Sequence, residues 1–271
     1  MKIFIDSAEI NEIKKVSEWG LLDGVTTNPS LIKKAVNSTK GTSLEYYIKN
    51  ILKISKRKPV SLEVIGNNFN DMVREGKIIW EKFRRYGNVY VKIPVNPCLE
   101  DKCERDADGI RAIRELSKSK IPVNCTLIFT PEQALLAAKA GAKIVSPFAG
   151  REDDYIREIN RIKFKKEDYF PAEGIKKMKK VMNDNGIVSG VDLVKECKEI
   201  LIINKLKCEV LGASIRNQRQ FREMALAGAD IITVPFSIIE KLLKHKKSIE
   251  GMRGFTKDIV PEYAKILGGA K

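Results

Sequence analysis

Lys92 sits inside Val89-Tyr90-Val91-Lys92-Ile93-Pro94-Val95, a run that is apolar on both faces of a strand. An unpaired charge there costs on the order of several kcal/mol. A buried lysine escapes that cost in one of two ways. Desolvation lowers the pKa of the amine, and a neutral amine is a nucleophile toward carbonyls. Alternatively the ammonium is kept and paired with a carboxylate, here Glu63 or Asp6. Both routes bring the same three residues together. Asp6 ends the apolar run Ile3-Phe4-Ile5, and Glu63 lies in Ser61-Leu62-Glu63-Val64-Ile65. Two carboxylates beside an amine suit imine chemistry, which moves protons to and from a carbinolamine and needs a base for a neighbouring hydroxyl. Asp6 reads equally as a helix cap, because Asp6-Ser7-Ala8-Glu9 has the form of a capping box.

Other polar residues also close apolar runs: Thr26-Thr27-Asn28, Asn124 with Thr126, Ser146, and Ser214 with Arg216. Asn124 and Thr126, two apart in one strand, face the same side. Arg151 and Arg216 follow strand ends, where a bidentate cation suits a phosphate monoester, and each alone also suits a surface salt bridge. The single histidine, His245, excludes Ser-His-Asp, Cys-His and two-histidine metal mechanisms, and Leu242-Leu243-Lys244-His245-Lys246 reads as the polar end of a helix. The five cysteines (Cys98, Cys103, Cys125, Cys197, Cys208) are odd in number and irregular in spacing, which predicts free thiols in a reducing compartment. Cys98 and Cys103 read as two ordinary thiols more readily than as half a zinc site, so no metal is expected.

Residues this scattered need elements that converge. Short apolar runs alternate with longer amphipathic ones and predict eight strands: Lys2–Asp6, Gly24–Asn28, Val60–Ile65, Val89–Pro94, Pro122–Ile128, Lys143–Pro147, Cys208–Gly212 and Ile231–Val234. Helical patterns such as Asn70–Arg85, Gly109–Lys118, Pro131–Lys139 and Gln218–Ala227 lie between them, so the repeat is βα and the sheet parallel. Eight units in one α/β domain, residues 1–271, point to a closed (β/α)8 TIM barrel, whose site forms at the C-terminal ends of the strands. No G-x-G-x-x-G turn favours a dinucleotide fold. Two segments break the rhythm. An extended loop-helix insert, residues 152–190, follows strand six, with a helix expected over Gly174–Met182. A tail, Ser248–Lys271, carries Ile259, Val260, Tyr263 and Ile266 at nearly helical spacing, as a tail helix packed on the barrel or on a neighbour would.

The 271 residues are 43% hydrophobic and 31% charged, a globular composition, with a net charge of +15. Such a surplus suits nucleic acid when it is concentrated on one face. Here the lysines are dispersed through helical segments among Glu and Asp, without interleaved aromatics, which predicts solvated helix faces and no nucleic-acid partner. An acid at position 6 and the lack of any apolar run near 18 residues predict a soluble, cytoplasmic protein with no membrane partner.

Five strings in register, Asp23-Gly24-Val25-Thr26-Thr27-Asn28-Pro29-Ser30-Leu31, Val91-Lys92-Ile93-Pro94, Asn124-Cys125-Thr126-Leu127-Ile128-Phe129, Ser146-Pro147-Phe148-Ala149-Gly150-Arg151 and Gly212-Ala213-Ser214-Ile215-Arg216, resemble the transaldolases and the related fructose-6-phosphate aldolases. The resemblance runs from Lys2 to about Lys244. It implies a class I enzyme without cofactor that moves a dihydroxyacetone unit between sugar phosphates. By the same resemblance Lys92 is the Schiff-base lysine and Asp6 the acid/base at the C4 hydroxyl, while Glu63 and Thr126 handle the catalytic water and the carbinolamine protons. Asn28, Asn124 and Ser146 hold the dihydroxyacetone hydroxyls, and Arg151, Ser214 and Arg216 bind phosphate.

The aldolase branch typically has glutamine where Glu63 stands and tyrosine where Phe148 stands, so both positions are of the transaldolase kind. Transfer results when the carbanion is held for an aldose phosphate, and aldol cleavage when a proton arrives first. A tyrosine hydroxyl near the imine helps place that proton, and Phe148 has none. The expected reaction is sedoheptulose 7-phosphate plus glyceraldehyde 3-phosphate giving erythrose 4-phosphate plus fructose 6-phosphate. The rivals are an aldolase releasing free dihydroxyacetone and a non-catalytic phosphosugar or nucleic-acid-binding barrel; a donor with another anion, such as a sulfonate, fits the same arginines. Lys165-Lys166-Glu167-Asp168-Tyr169-Phe170-Pro171-Ala172-Glu173 resembles a segment of the longer, dimeric transaldolases, whereas the short N-terminus matches the small, ring-built ones. A homo-oligomer is expected on either pattern.

Overall fold

The computed structural model describes residues 1–38, 43–177 and 180–268. Alternating apolar and amphipathic runs fold into β1 (Lys2–Asp6), α1 (Ile10–Glu18), β2 (Gly24–Thr26), α2 (Pro29–Ser38), α3 (Leu44–Ile54), β3 (Pro59–Glu63) and α4 (Phe69–Phe83). Then come β4 (Asn88–Pro94), α5 (Asp108–Lys118), β5 (Val123–Ile128), α6 (Pro131–Ala140), β6 (Ile144–Pro147) and α7 (Ala149–Ile159). A short hairpin, β7 (Lys176–Lys177) and β8 (Lys180–Val181), precedes α8 (Gly190–Ile203), β9 (Glu209–Gly212), α9 (Gln218–Leu226) and β10 (Ile231–Val234). Eight strands close in the order β1-β10-β9-β6-β5-β4-β3-β2, each parallel to its neighbours, forming the (β/α)8 barrel.

The chain divides into two compact units, Met1–Phe236, which holds the whole barrel, and Ser237–Lys271. Phe4, Ile144, Leu211, Ala213 and Ile231 are buried together, and Tyr90 and Phe148 pack against them. Gly24 makes room for this filling: a Cβ there would stand 2.4 Å from the Phe4 ring. The helices start where side chains accept their free N–H groups. Ser43, Asn68, Thr130, Ser189 and Asn217 each accept the backbone N–H three residues on. No helix among the described residues is long and apolar enough to cross a membrane.

Two local expectations are corrected. The segment Gly174–Met182 is the antiparallel hairpin β7–β8, not a helix; residues 178 and 179 lie outside the described residues. Ile175 and Met182, seven apart, fit one helix face by spacing, but the Met182 N–H donates to the Ile175 carbonyl and both side chains join the cluster of Ile156, Phe170 and Ile162. The tail is two helices, α11 (Lys246–Lys257) and α12 (Pro261–Ile266), following α10 (Phe236–Leu242). Pro261 has no N–H to continue α11 and stands in the first turn of α12 instead. His245 caps α11, its Nδ1 accepting the Lys247 N–H at 3.1 Å.

Candidate active site

The register of β3 on β4 sets Glu63 directly beside Lys92, and that of β4 on β5 sets Lys92 beside Asn124. The three face one side of the sheet. Lys92 Nζ lies 3.1 Å from Glu63 Oε2, with the two side chains 7% and 16% exposed, and donates to the Thr27 carbonyl at 3.3 Å. Of the two arrangements open to the buried amine, the geometry is that of the ion pair, with Glu63 and not Asp6 as the partner.

Asp6 is no helix cap. α1 begins after Glu9, which makes no side-chain cap bond, and it is Ser7 Oγ that accepts the Glu9 N–H. The Asp6 carboxylate instead accepts the Thr26 hydroxyl at 2.8 Å. Burial pushes its pKa above the ordinary carboxylate value; the Thr26 hydrogen bond, Lys92 and Arg151 pull against that rise. Asp6, Lys92 and Glu63 thus share the mouth of the barrel at the C-terminal ends of β1, β4 and β3.

Next along the sheet, Asn124 is fixed at both ends: its Nδ2 donates to Ser61 Oγ at 3.1 Å and its Oδ1 accepts the Ser146 hydroxyl at 2.6 Å. Thr126 Oγ1 is buried and has no hydrogen-bond partner among the described residues. A hydroxyl left unpaired inside a protein is held at a cost and is available to a ligand. Asn28 stands two residues past the end of β2 and spends its Oδ1 on the Leu31 N–H, 2.9 Å away, at the start of α2. The β5–β6 register slips between Cys125 and Ile128, where Leu127 takes φ 59°.

Phe148 joins this centre to the arginines. Its ring lies 5.9 Å from Lys92 Nζ and 5.0 Å from the Arg151 guanidinium, and Phe129 packs edge-on at 6.0 Å. Arg151 makes no ion pair among the described residues. Arg216 Nη2 donates to Asp154 Oδ2 at 2.6 Å, while its Nε is buried and unpartnered. Gly150 lets the two strand ends close: a Cβ there would meet the Ser214 carbonyl at 2.0 Å and Arg216 Nε at 2.6 Å. Ser214 itself has φ 65°. Arg151 and Arg216 line one cavity of about 600 Å³ with Phe129, Asp154, Tyr155 and Lys166. Glu152, on the first turn of α7, lines the same cavity; it is fully buried, and neither carboxyl oxygen has a hydrogen-bond partner among the described residues. Burial, with Asp184 and Asp153 adding to it, raises the Glu152 pKa to about 8.

Asp6, Glu63 and Ser146 stand at or next to the C-terminal ends of their strands, Lys92 and Thr126 in the C-terminal halves of β4 and β5, and Asn28, Phe148, Arg151, Ser214 and Arg216 in the segments that follow strands, whereas Asn124 is the second residue of β5. Ser61, Thr233 and Asp154 are additions. Ser61 had a signal, standing two residues before Glu63 and so on the same strand face. The cysteines need a correction: Cys98 and Cys103 form a disulfide in the loop between β4 and α5, where local turns bring their Cα atoms to 6.0 Å. Cys125, Cys197 and Cys208 are free and buried, and burial pushes the Cys208 thiol up to about 12. The dispersed lysines do lie on helix faces, as in Lys49–Glu45 and Lys195–Glu199 one turn apart.

A parallel eight-stranded barrel with a buried lysine, two carboxylates and a pair of arginines at its C-terminal mouth defines a barrel protein of the lysine-centred class. Residues 3–265 match the model of the Transaldolase/Fructose-6-phosphate aldolase family, and the chain belongs to it. It is 39% identical over 258 residues to a probable transaldolase of Aquifex aeolicus, covering 95% of this chain and 96% of that one. The probable transaldolase of Nitrosopumilus maritimus is 40% identical over 260 residues, 95% and 94% of the two chains. A Clostridium botulinum probable transaldolase is 36% identical over 271 residues, the full length of both. The chain is thus of transaldolase type.

Proposed function

We propose that this chain transfers a dihydroxyacetone unit through a Schiff base on Lys92, from sedoheptulose 7-phosphate to glyceraldehyde 3-phosphate, giving erythrose 4-phosphate and fructose 6-phosphate, in the non-oxidative pentose phosphate pathway. The observation that carries this reading is the 3.1 Å contact between Lys92 Nζ and Glu63 in the buried mouth of the barrel. Passing the ammonium proton across that contact leaves Nζ a lone pair with which to attack C2 of the ketose. Glu63 then returns the proton to the departing carbinolamine hydroxyl, with the unpaired Thr126 hydroxyl beside the water that leaves. Asp6 accepts the C4 hydroxyl proton as the C3–C4 bond breaks; the aldose phosphate departs and the electron pair stays on the imine-conjugated carbon. Attack on the acceptor aldehyde and return of the Asp6 proton complete transfer, and water hydrolyses the imine. Asn124, held by Ser61 and Ser146, and Asn28 bind the hydroxyls of the donor. Arg151, Arg216 and Ser214 bind its phosphate.

Phe148 supports transfer over aldol cleavage, because the ring beside Lys92 offers the carbanion no proton. Fructose 6-phosphate with and without erythrose 4-phosphate, followed by assay of free dihydroxyacetone, separates the two; release as fast as transfer would favour the aldolase. Borohydride reduction with fructose 6-phosphate and mass mapping separates both from a non-catalytic binder, which would leave Lys92 unmodified. The same reading has the protein work in the cytoplasm as a homo-oligomer. Three free buried thiols support the compartment, though the Cys98–Cys103 bridge does not, and apolar side chains exposed on α11 and α12, among them Met252, Phe255 and Ile266, support assembly.

A further inference from the structure

Behind Asp6 the barrel contains a chain of two hydroxyls that no residue spacing announces. β1 lies between β2 and β10, with Asp6 in register with Thr26 on one side and Phe4 in register with Thr233 on the other. Thr26 Oγ1 is 2.8 Å from Asp6 Oδ1 and 2.6 Å from Thr233 Oγ1, and both threonines are almost wholly buried. A threonine hydroxyl has one proton. When Asp6 is ionised its oxygens only accept, so the Thr26 proton points at Asp6. The short contact to Thr233 must then be filled by the Thr233 proton. The direction of the chain follows: Thr233 donates to Thr26, and Thr26 donates to Asp6.

We propose that Thr233, acting through Thr26, is a positioning residue that holds Asp6 as an oriented base. The proposal rests on the reading of Asp6 as the acid/base of a Schiff-base reaction. By filling the Thr26 lone pair on the side away from Asp6, Thr233 stops the Thr26 hydroxyl from turning round and polarises it toward the carboxylate. The charged groups facing Asp6 are Lys92 from β4 and Arg151 from α7; β2 and β10 present the two hydroxyls. Lys92 and Arg151 both change their surroundings when substrate binds, whereas the threonine chain lies beneath the site and does not. It therefore gives the Asp6 carboxylate one fixed donor throughout turnover, working against the rise that burial imposes.

The test is the pH dependence of kcat/KM for transfer from fructose 6-phosphate to erythrose 4-phosphate. Thr233→Val keeps the shape and removes the hydroxyl. The acid limb is expected to move up by about half a pH unit, because the carboxylate loses an oriented donor. Thr26→Val should move it further, by about one unit, and Thr233→Ser should restore the wild-type limb. If Thr233→Val does not fold, Thr233→Ala is read in its place. Borohydride trapping on Lys92 runs beside each profile. Trapping in wild type and variant with an unmoved acid limb would overturn the inference and leave the Schiff-base reading intact. No adduct in the wild type would overturn that reading and, with it, the inference.

Discussion

Glu63 and Lys92 are direct partners across β3 and β4, and their side chains meet at 3.1 Å. The contact is a product of strand register: a slip of one residue would turn either side chain to the opposite face of the sheet. It also reconciles two demands on a buried lysine. The carboxylate compensates the ammonium in the absence of substrate and stands where a proton must go when a carbonyl arrives.

Lys92→Met exchanges the amine for an apolar chain of similar length. Turnover should fall by on the order of 10⁴-fold or more, as when a covalent nucleophile is removed. Glu63 loses its partner but retains some exposure, so the fold should survive with a loss of about 1–3 kcal/mol. Circular dichroism and a transfer assay measure both; a residual rate near wild type would remove Lys92 from the mechanism.

Glu63→Gln keeps the shape and removes the proton acceptor. Imine formation and hydrolysis should slow by about 10²-fold or more, the usual worth of a general acid–base, while C–C cleavage in the preformed imine should change little because the proposed mechanism gives that step to Asp6. Rapid-mix trapping with borohydride resolves the two. Equal rates of adduct formation in wild type and variant would leave Glu63 only a charge partner.

The legible parts of the molecule are those where a polar residue interrupts an apolar run. Asp6, Glu63, Lys92 and Asn124 stand out because a strand buried on both faces has no ordinary place for them. Thr233 sits in an equally apolar run, Ile231-Ile232-Thr233-Val234, but threonine is common in strands and satisfies itself across them, so nothing marks it until β10 closes on β1. Asp154 falls inside the stretch 152–190 that the sequence marks only as an insert, and its pairing with Arg216 spans 62 residues. The hairpin at β7–β8 was hidden for another reason: Ile175 and Met182 fit a helix and a hairpin alike. Cys98 and Cys103 were read from an odd cysteine count, whereas their pairing comes from turns within six residues.

Arg216→Lys keeps a cation but gives up the planar fork that holds Asp154 and, in the proposed reaction, the substrate phosphate. KM for fructose 6-phosphate should rise by about 10-fold, the worth of one charge-assisted hydrogen bond, with kcat little changed. Slow turnover of unphosphorylated fructose should not respond. Equal losses with both sugars would show that Arg216 acts on the fold and not on the phosphate.

Glu152 should make the protein lose stability as pH rises from about 4.5 to about 8. In the fold it keeps its proton to about pH 8, while an unfolded glutamate releases it near 4.5. Between those values the folded state holds more protons than the unfolded one, so stability falls as pH rises. The contribution is fully present below about pH 4.5 and lost once pH has passed through about 8; it amounts to on the order of a few kcal/mol. Asp153, raised to about 7 chiefly by burial, adds a fall of the same sign at slightly lower pH. Glu152→Leu fills the same buried space without a carboxyl. Urea unfolding at pH 5, 7 and 9 should show the variant gaining on wild type with each step, by the most at pH 9. Parallel stability curves for wild type and variant would show that Glu152 does not carry the loss of stability between about pH 4.5 and about 8.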